Sequence, residues 1–196
     1  MIITISGTPG SGKSTIAKIL QEKLKAERIY VGGIRRELAR KKNMTLQELN
    51  AYALTHPETD REVDAQAAAE ARKILAAGKK VIVEGRTQYY FLPESVKIFV
   101  KVNPQEGARR IWKDLQQQRT REQRNEAEVH SLEELEMELE RRQENDRERY
   151  WKYYRIDPTQ ESQYDLVMDT TAITAEQAAG TIFEFLKKAY KEGGKG

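Results

Sequence analysis

Apolar, mostly β-branched runs recur at Ile2–Ile5, Ile29–Val31, Val81–Val83, Val96–Val102 and Asp165–Met168, and between them charged residues follow a helical period. Short apolar runs of this kind predict strands buried on both faces. Their alternation with helices predicts an α/β fold around a parallel sheet. The helix starts are marked. Thr45–Glu48, Thr59–Glu62, Ser131–Glu134 and Thr174–Gln177 each fit a capping box, in which the hydroxyl and the side chain three residues on satisfy each other's backbone N–H groups. Pro104 is placed to open the helix after the fourth strand. Ala178, Ile182, Phe185, Leu186 and Ala189 form the core-facing stripe of the last helix. Gln116–Arg124 (QQQRTREQR) is poor in apolar residues and predicts a mobile, solvated segment; residues 193–196 read as a flexible tail.

Composition narrows the class. With 196 residues, 38% hydrophobic and 33% charged, the chain has room for one domain with a real core beneath a highly charged surface. A formal net charge of +3 argues little for a polyanionic partner, so no nucleic acid is expected. The lack of cysteine excludes disulfides and thiolate chemistry. His56 and His130 lie far apart and make no metal-binding pattern. No apolar run approaches the ~20 residues that span a bilayer. A strand starting at residue 2 leaves no room for a leader, and a cytoplasmic monomer without membrane contact is expected.

The chemistry opens with the first strand. Ile2–Ile5 runs into Gly7-Thr8-Pro9-Gly10-Ser11-Gly12-Lys13-Ser14-Thr15, followed by the helix former Ile16-Ala17-Lys18-Ile19-Leu20. Strand, glycine loop and helix in that order are the context of a phosphate-binding P-loop. Glycines let the backbone turn its N–H groups inward onto phosphate oxygens, and the helix start adds unpaired N–H groups and a positive dipole end. Lys13 supplies a mobile charge to the β- and γ-phosphates, and the Ser14 hydroxyl suits Mg²⁺.

Other candidates sit at strand ends, where open α/β sheets bind ligands. Val81–Val83 ends in Glu84-Gly85-Arg86, which places Glu84 beside the P-loop as an acid for Mg²⁺; a local Glu84–Arg86 ion pair is the alternative. Gly32-Gly33 follows the second strand as a tight turn into a helix, from whose first turn Arg36 can bind a phosphate bidentately. Arg35, Arg36, Arg40, Lys41 and Lys42 would equally make a solvated basic face. In the helix from Ser131 to about Arg155, Arg142, Asp146, Arg149 and Tyr153 share one face, with Arg119, Arg121 and Arg124 just before it. That is how a closing lid would read, although a solvated, salt-bridged helix has the same pattern.

These residues resemble the short nucleoside monophosphate kinases, most of all the compact archaeal type of cytidylate kinase. The likeness rests on the P-loop at 7–14, GGIRRELA at 32–39, DREVD at 60–64, VIVEGR at 81–86, RxxxDxxRY at 142–150 and YDLVMDTT at 164–171. It implies that Gly7 to Thr15 bind ATP phosphates and that Arg36 binds the acceptor's phosphate. It also implies that Asp64, Gly85 and Arg86 line the acceptor pocket, that Arg142 and Arg149 act from the lid on the transferring group, and that Arg109 or Arg110 and the loop after Asp169 border the adenine. Gly33, Arg35 and the Thr87–Phe91 segment depart from the family pattern.

The resulting expectation is a three-layer P-loop fold over residues 1–192, with strand order 2-3-1-4-5, an acceptor-binding subregion at 33–77 and a lid at 113–150. The implied reaction is ATP-dependent phosphorylation of CMP or dCMP with Mg²⁺, in which Lys13, Arg142 and Arg149 are catalytic and Ser14 and Glu84 hold the metal. Asp64 is expected to accept from the cytosine amino group. The alternatives are a kinase of AMP, UMP or a small metabolite, or a P-loop switch protein.

Overall fold

The computed structural model describes residues 1–117 and 129–193, with side chains through Ala189. Most of Gln116–Arg124, the arginines 119, 121 and 124, and residues 194–196 lie outside the described residues. Five strands form the sheet: β1 (Ile2–Gly7), β2 (Glu27–Tyr30), β3 (Val81–Glu84), β4 (Val96–Lys101) and β5 (Leu166–Asp169). All pairings are parallel and the order is β2-β3-β1-β4-β5. Among the described residues the helices are α1 (Lys13–Leu24), α2 (Val31–Lys41), α3 (Leu46–Ala53), α4 (Glu58–Ala76), α5 (Gln88–Phe91), α6 (Pro104–Leu115), α7 (Leu132–Tyr154) and α8 (Ala175–Gly193).

Alternation along the strands divides the core into two layers, because successive side chains leave opposite faces. Ile3, Ile5, Ile82, Ile98 and Val100 pack with Ile16 and Leu20 of α1 and Ile182 and Leu186 of α8. Ile2, Val81 and Val83 pack on the other face with Val63, Ala67 and Ala71 of α4. A smaller cluster, Ala108, Ile111, Leu135 and Leu139, joins α6 to α7. The stripe read for the last helix is the one α8 buries.

Local signals held where nothing tertiary competed. Thr45 forms a full capping box with Glu48; Ser131 accepts from Glu134 N, and Thr174 and Gln177 cap each other. Asn103 caps α6 ahead of Pro104. Three expectations need correction. Thr59 lies inside α4, which starts one residue earlier behind Pro57, and it is buried. Val31 starts α2 instead of ending β2, so Gly32 and Gly33 are helical and make no separate turn. Gly193 ends α8, so it is helical and does not open a tail.

Candidate active site

The P-loop leaves the carboxyl end of β1 and is shaped by close backbone approach. Gly7 has φ +149°, and a Cβ there would stand 1.9 Å from the Val100 carbonyl oxygen. Gly10 has φ +72°, and its Cβ would meet the Gly107 carbonyl at 2.3 Å, so the loop lies directly on the backbone of α6. Gly12 caps α1 without any side-chain hydrogen bond, and the first turn of α1 carries no acid. Its N–H groups are therefore available to an anion, where the helix dipole favours one. Lys13 Nζ donates to the carbonyls of Gly7 (3.1 Å) and Thr8 (3.2 Å), bracing the loop it serves. Ser11 closes the loop on Thr8 O at 2.8 Å, and Thr15 is exposed. A cleft of ≈ 370 Å³ lies over Gly7, Thr8 and Pro9 and is walled by Arg86 and Asp146.

Glu84 ends β3, paired with β1 one strand from the loop. It is 2% exposed and accepts from Ser14 Oγ and from the guanidinium of Arg28 on β2. The alternative Glu84–Arg86 pair does not form, because Arg86 turns to Asp146 of α7. A hydroxyl and a carboxylate side by side suit a hard, oxygen-seeking cation. No group of three or more His, Cys, Asp or Glu able to hold a metal exists among the described residues, so such a cation would complete its shell with phosphate oxygens and water.

Cations converge on this end of the sheet. Burial, then the charges of Arg86, Arg142 and Arg36, push the Lys13 ammonium down to about 7 against the opposing pull of Glu84. Arg86 is pushed down to about 9 by burial and by Arg142, and stays charged. Arg36 projects from the first turns of α2, and its Nη1 donates to the Tyr30 hydroxyl at 2.8 Å. That contact explains the two glycines: a Cβ on Gly32 or Gly33 would come within 2.9 or 2.7 Å of the Tyr30 ring. Glycine in a helix costs about 1 kcal/mol against alanine. Here it is the space for an aromatic ring that holds Arg36.

Behind the cations lies a buried polar network. Arg149 has no exposed surface. It pairs with Asp60 of α4 at 2.9 Å and with Asp146 at 2.6 Å, and it donates to the Asn50 side chain of α3 at 3.2 Å. Arg35 also pairs with Asp60 and reaches Asn50 at 2.9 Å. Asp64, one turn beyond Asp60, accepts from Gln88 Nε2 (2.9 Å) and from the Tyr154 hydroxyl (3.2 Å). Burial and the neighbouring Asp60 push its carboxyl up to about 6. Arg149 is therefore corrected from an open lid face to an enclosed one: its helix packs on α3, and Tyr153 donates to the Ala53 carbonyl at 2.6 Å. The reading of Arg35–Lys42 as one solvated face holds for Arg40, Lys41 and Lys42 only. On the opposite rim, Arg110 donates to the Thr170 carbonyl at 2.8 Å while Arg109 stays exposed.

The cytidylate kinase of Archaeoglobus fulgidus is 37% identical over 178 residues, 90% of this chain and 89% of that one. That of Pyrococcus horikoshii is 33% identical over 179 residues, 90% and 83% of the two chains. This chain belongs to the cytidylate kinase family. It is a nucleoside monophosphate kinase, and residues 3–152 also match the family described as AAA domain. A shikimate kinase structure from Bacteroides thetaiotaomicron shares the fold alone, with a TM-score of 0.58 at 17% identity over 95% of this chain and 98% of that one.

Sequence reasoning missed several residues that shape the kinase's site. Arg28 and Tyr30 lie on a short edge strand, where only the register against Tyr30↔Glu84 brings them to the loop. Asn50 and Gly107 carry no local motif. Asp60 stood in the quoted DREVD run, four residues from Asp64, and that spacing was the available sign that α4 presents two acids on one face. Gln88 lay in the segment flagged as departing from the family.

Proposed function

We propose that the kinase transfers the γ-phosphoryl group of ATP to CMP or dCMP, giving ADP and CDP or dCDP. The observation that carries this reading is the set of four cations, Lys13, Arg36, Arg86 and Arg142, gathered beside an open helix N-terminus so closely that the three arginine charges help to push Lys13 down and Arg142 helps to push Arg86 down. Like charges gathered in a half-buried site are stabilised by a polyanion, and two phosphorylated substrates meeting head to head supply one. The acceptor's phosphate oxygen attacks the γ-phosphorus as the bond to the β–γ bridging oxygen breaks, and ADP leaves with that electron pair. The nucleophile is already anionic, so positioning and charge neutralisation suffice without a strong general base.

In this reading the backbone of Gly7–Thr15 holds the ATP phosphates and Lys13 follows the charge as it moves to the leaving oxygen. Arg36 and Arg86 seat the acceptor, and Arg142, from α7, neutralises the transferring group. Ser14 and Glu84 would hold Mg²⁺, which when bound offsets phosphate charge. Residues 33–77 make the acceptor side, and the described part of 113–150 the cover that excludes water. The test is ADP release from ATP with each common ribo- and deoxyribonucleoside monophosphate and with none. CMP or dCMP should give the highest kcat/KM. UMP or AMP as best acceptor would overturn the cytidylate reading, and equal ADP release without acceptor would overturn the phosphoryl-transfer reading itself.

A further inference from the structure

Gln88 opens α5 two residues after Arg86 and is fully buried. Its side chain lies over the end of β3, where Gly85 makes room for it: a Cβ on Gly85 would come within 2.8 Å of Gln88 Cγ and 3.3 Å of Val31 at the start of α2. Gln88 therefore sits between Arg86, α2 and α4, the elements that carry the acceptor-side residues. Its Nε2 donates to Asp64 Oδ1 at 2.9 Å, and the Tyr154 hydroxyl donates to Asp64 Oδ2 at 3.2 Å. An ionised carboxylate only accepts, so this contact fixes the polarity of the Gln88 amide. Nitrogen faces the acid and oxygen faces away. That oxygen is buried and has no hydrogen-bond partner among the described residues. Buried acceptors are rarely left unpaired, and what this one lacks is an N–H donor. Asp64, by contrast, has both oxygens engaged, which does not match the expectation that it takes the cytosine amino group itself.

We propose that Gln88 reads the acceptor base: its Oε1 accepts a hydrogen from the exocyclic amino group of cytosine, and Asp64 acts through it as a positioning residue that holds the amide oxygen toward the base. Uracil presents a carbonyl at the same place and would set oxygen against oxygen. This inference rests on the cytidylate reading and assigns that specificity to a residue outside the family's motifs.

The test is kcat/KM for CMP and UMP at saturating ATP and pH 8, in the parent protein and in Gln88→Met and Asp64→Asn, each checked by thermal melting. The parent should favour CMP. Gln88→Met, similar in length and without polar atoms, should cut the CMP-to-UMP ratio about 10- to 100-fold, mostly through the loss of CMP, with KM for ATP unchanged. Asp64→Asn can donate as well as accept. It releases the amide orientation, lets Nε2 turn to the base, and should raise UMP relative to CMP. A parent that prefers CMP with a folded Gln88→Met that keeps the full ratio overturns this inference and leaves the cytidylate reading standing. A parent without CMP preference removes that reading and this inference together. If Gln88→Met does not fold, Asp64→Asn decides alone: a shift toward UMP supports the assignment and an unchanged ratio overturns it.

Discussion

The two halves of the site are made of different materials. The half proposed for ATP is backbone: glycines at 7, 10 and 12, a helix start without a side-chain cap, and one lysine braced on carbonyls of its own loop. The half proposed for the acceptor is side chain: Arg35, Asn50, Asp60, Asp146 and Arg149 come from α2, α3, α4 and α7, with Arg86 from the end of β3, and are satisfied mostly by one another. A backbone site is specified within eight or nine consecutive residues. A side-chain network exists only once distant elements have packed. The first half should therefore fail in rate when altered, and the second in stability.

The largest expected effect breaks the second half. Arg149→Met leaves Asp60 and Asp146 without the charge that separates them in a dry interior, and removing one partner of a buried ion pair costs about 3–5 kcal/mol. Urea unfolding should show that loss; a variant as stable as the parent would mean the network does not hold α7 to α4. Lys13→Ala probes the first half from the opposite side. It should lower kcat by about 10²–10³, with the melting transition unchanged or raised, because a buried ammonium already pushed down to about 7 is lost with it. A joint loss of rate and stability would blur the distinction drawn above.

Arg36→Ala sharpens the comparison at the border between halves. A hydrogen bond to a charged group contributes about 1.5–3 kcal/mol, so acceptor KM should rise roughly 10- to 100-fold with little change for ATP. Tyr30→Phe, which removes only the hydroxyl partner of Arg36, should move acceptor KM the same way by less. Titrating each substrate against a fixed excess of the other measures both, and an effect confined to ATP would move Arg36 to the other pocket. The smallest effect is protonic. Near pH 8 much of Lys13 is neutral in the empty site, given a pKa of about 7. Nucleotide phosphates favour the ammonium and should raise it, so ATP binding should take up a fraction of a proton. Calorimetry in buffers of different ionisation enthalpy reads this directly; proton release would contradict the assigned surroundings of Lys13.

The same division governs what could be read from the chain. Gly7–Thr15 was legible because loop, cap and lysine are adjacent in sequence, and the five apolar runs sufficed for the sheet because parallel strands are buried on both faces. Arg36, Glu84 and Arg86 were legible as residues near strand ends, and Asp64 through the family resemblance, but their partners were not. Nothing in the spacing shows that Glu84 meets Arg28 instead of Arg86, or that Arg149 points into the protein while Arg142, seven residues earlier on the same helix, is only half buried. Helical periodicity gives a face. What that face touches depends on α3, whose Asn50 and Ala53 have no pattern of their own.

The pairing of Arg86 with Asp146 has a consequence for the cell's other anions. A bare cluster of guanidinium groups would collect chloride, sulfate or free phosphate. Here a resident carboxylate already occupies one of them, so binding at Arg86 is an exchange of counter-ions, not an addition. A monovalent, well-hydrated anion gains little by displacing a carboxylate already paired with the guanidinium. A phosphate monoester dianion, tethered to a nucleoside that adds contacts of its own, gains enough. With Arg86 in its proposed role, the acidic residue acts as a threshold, and the site would select by charge density before any selection by base.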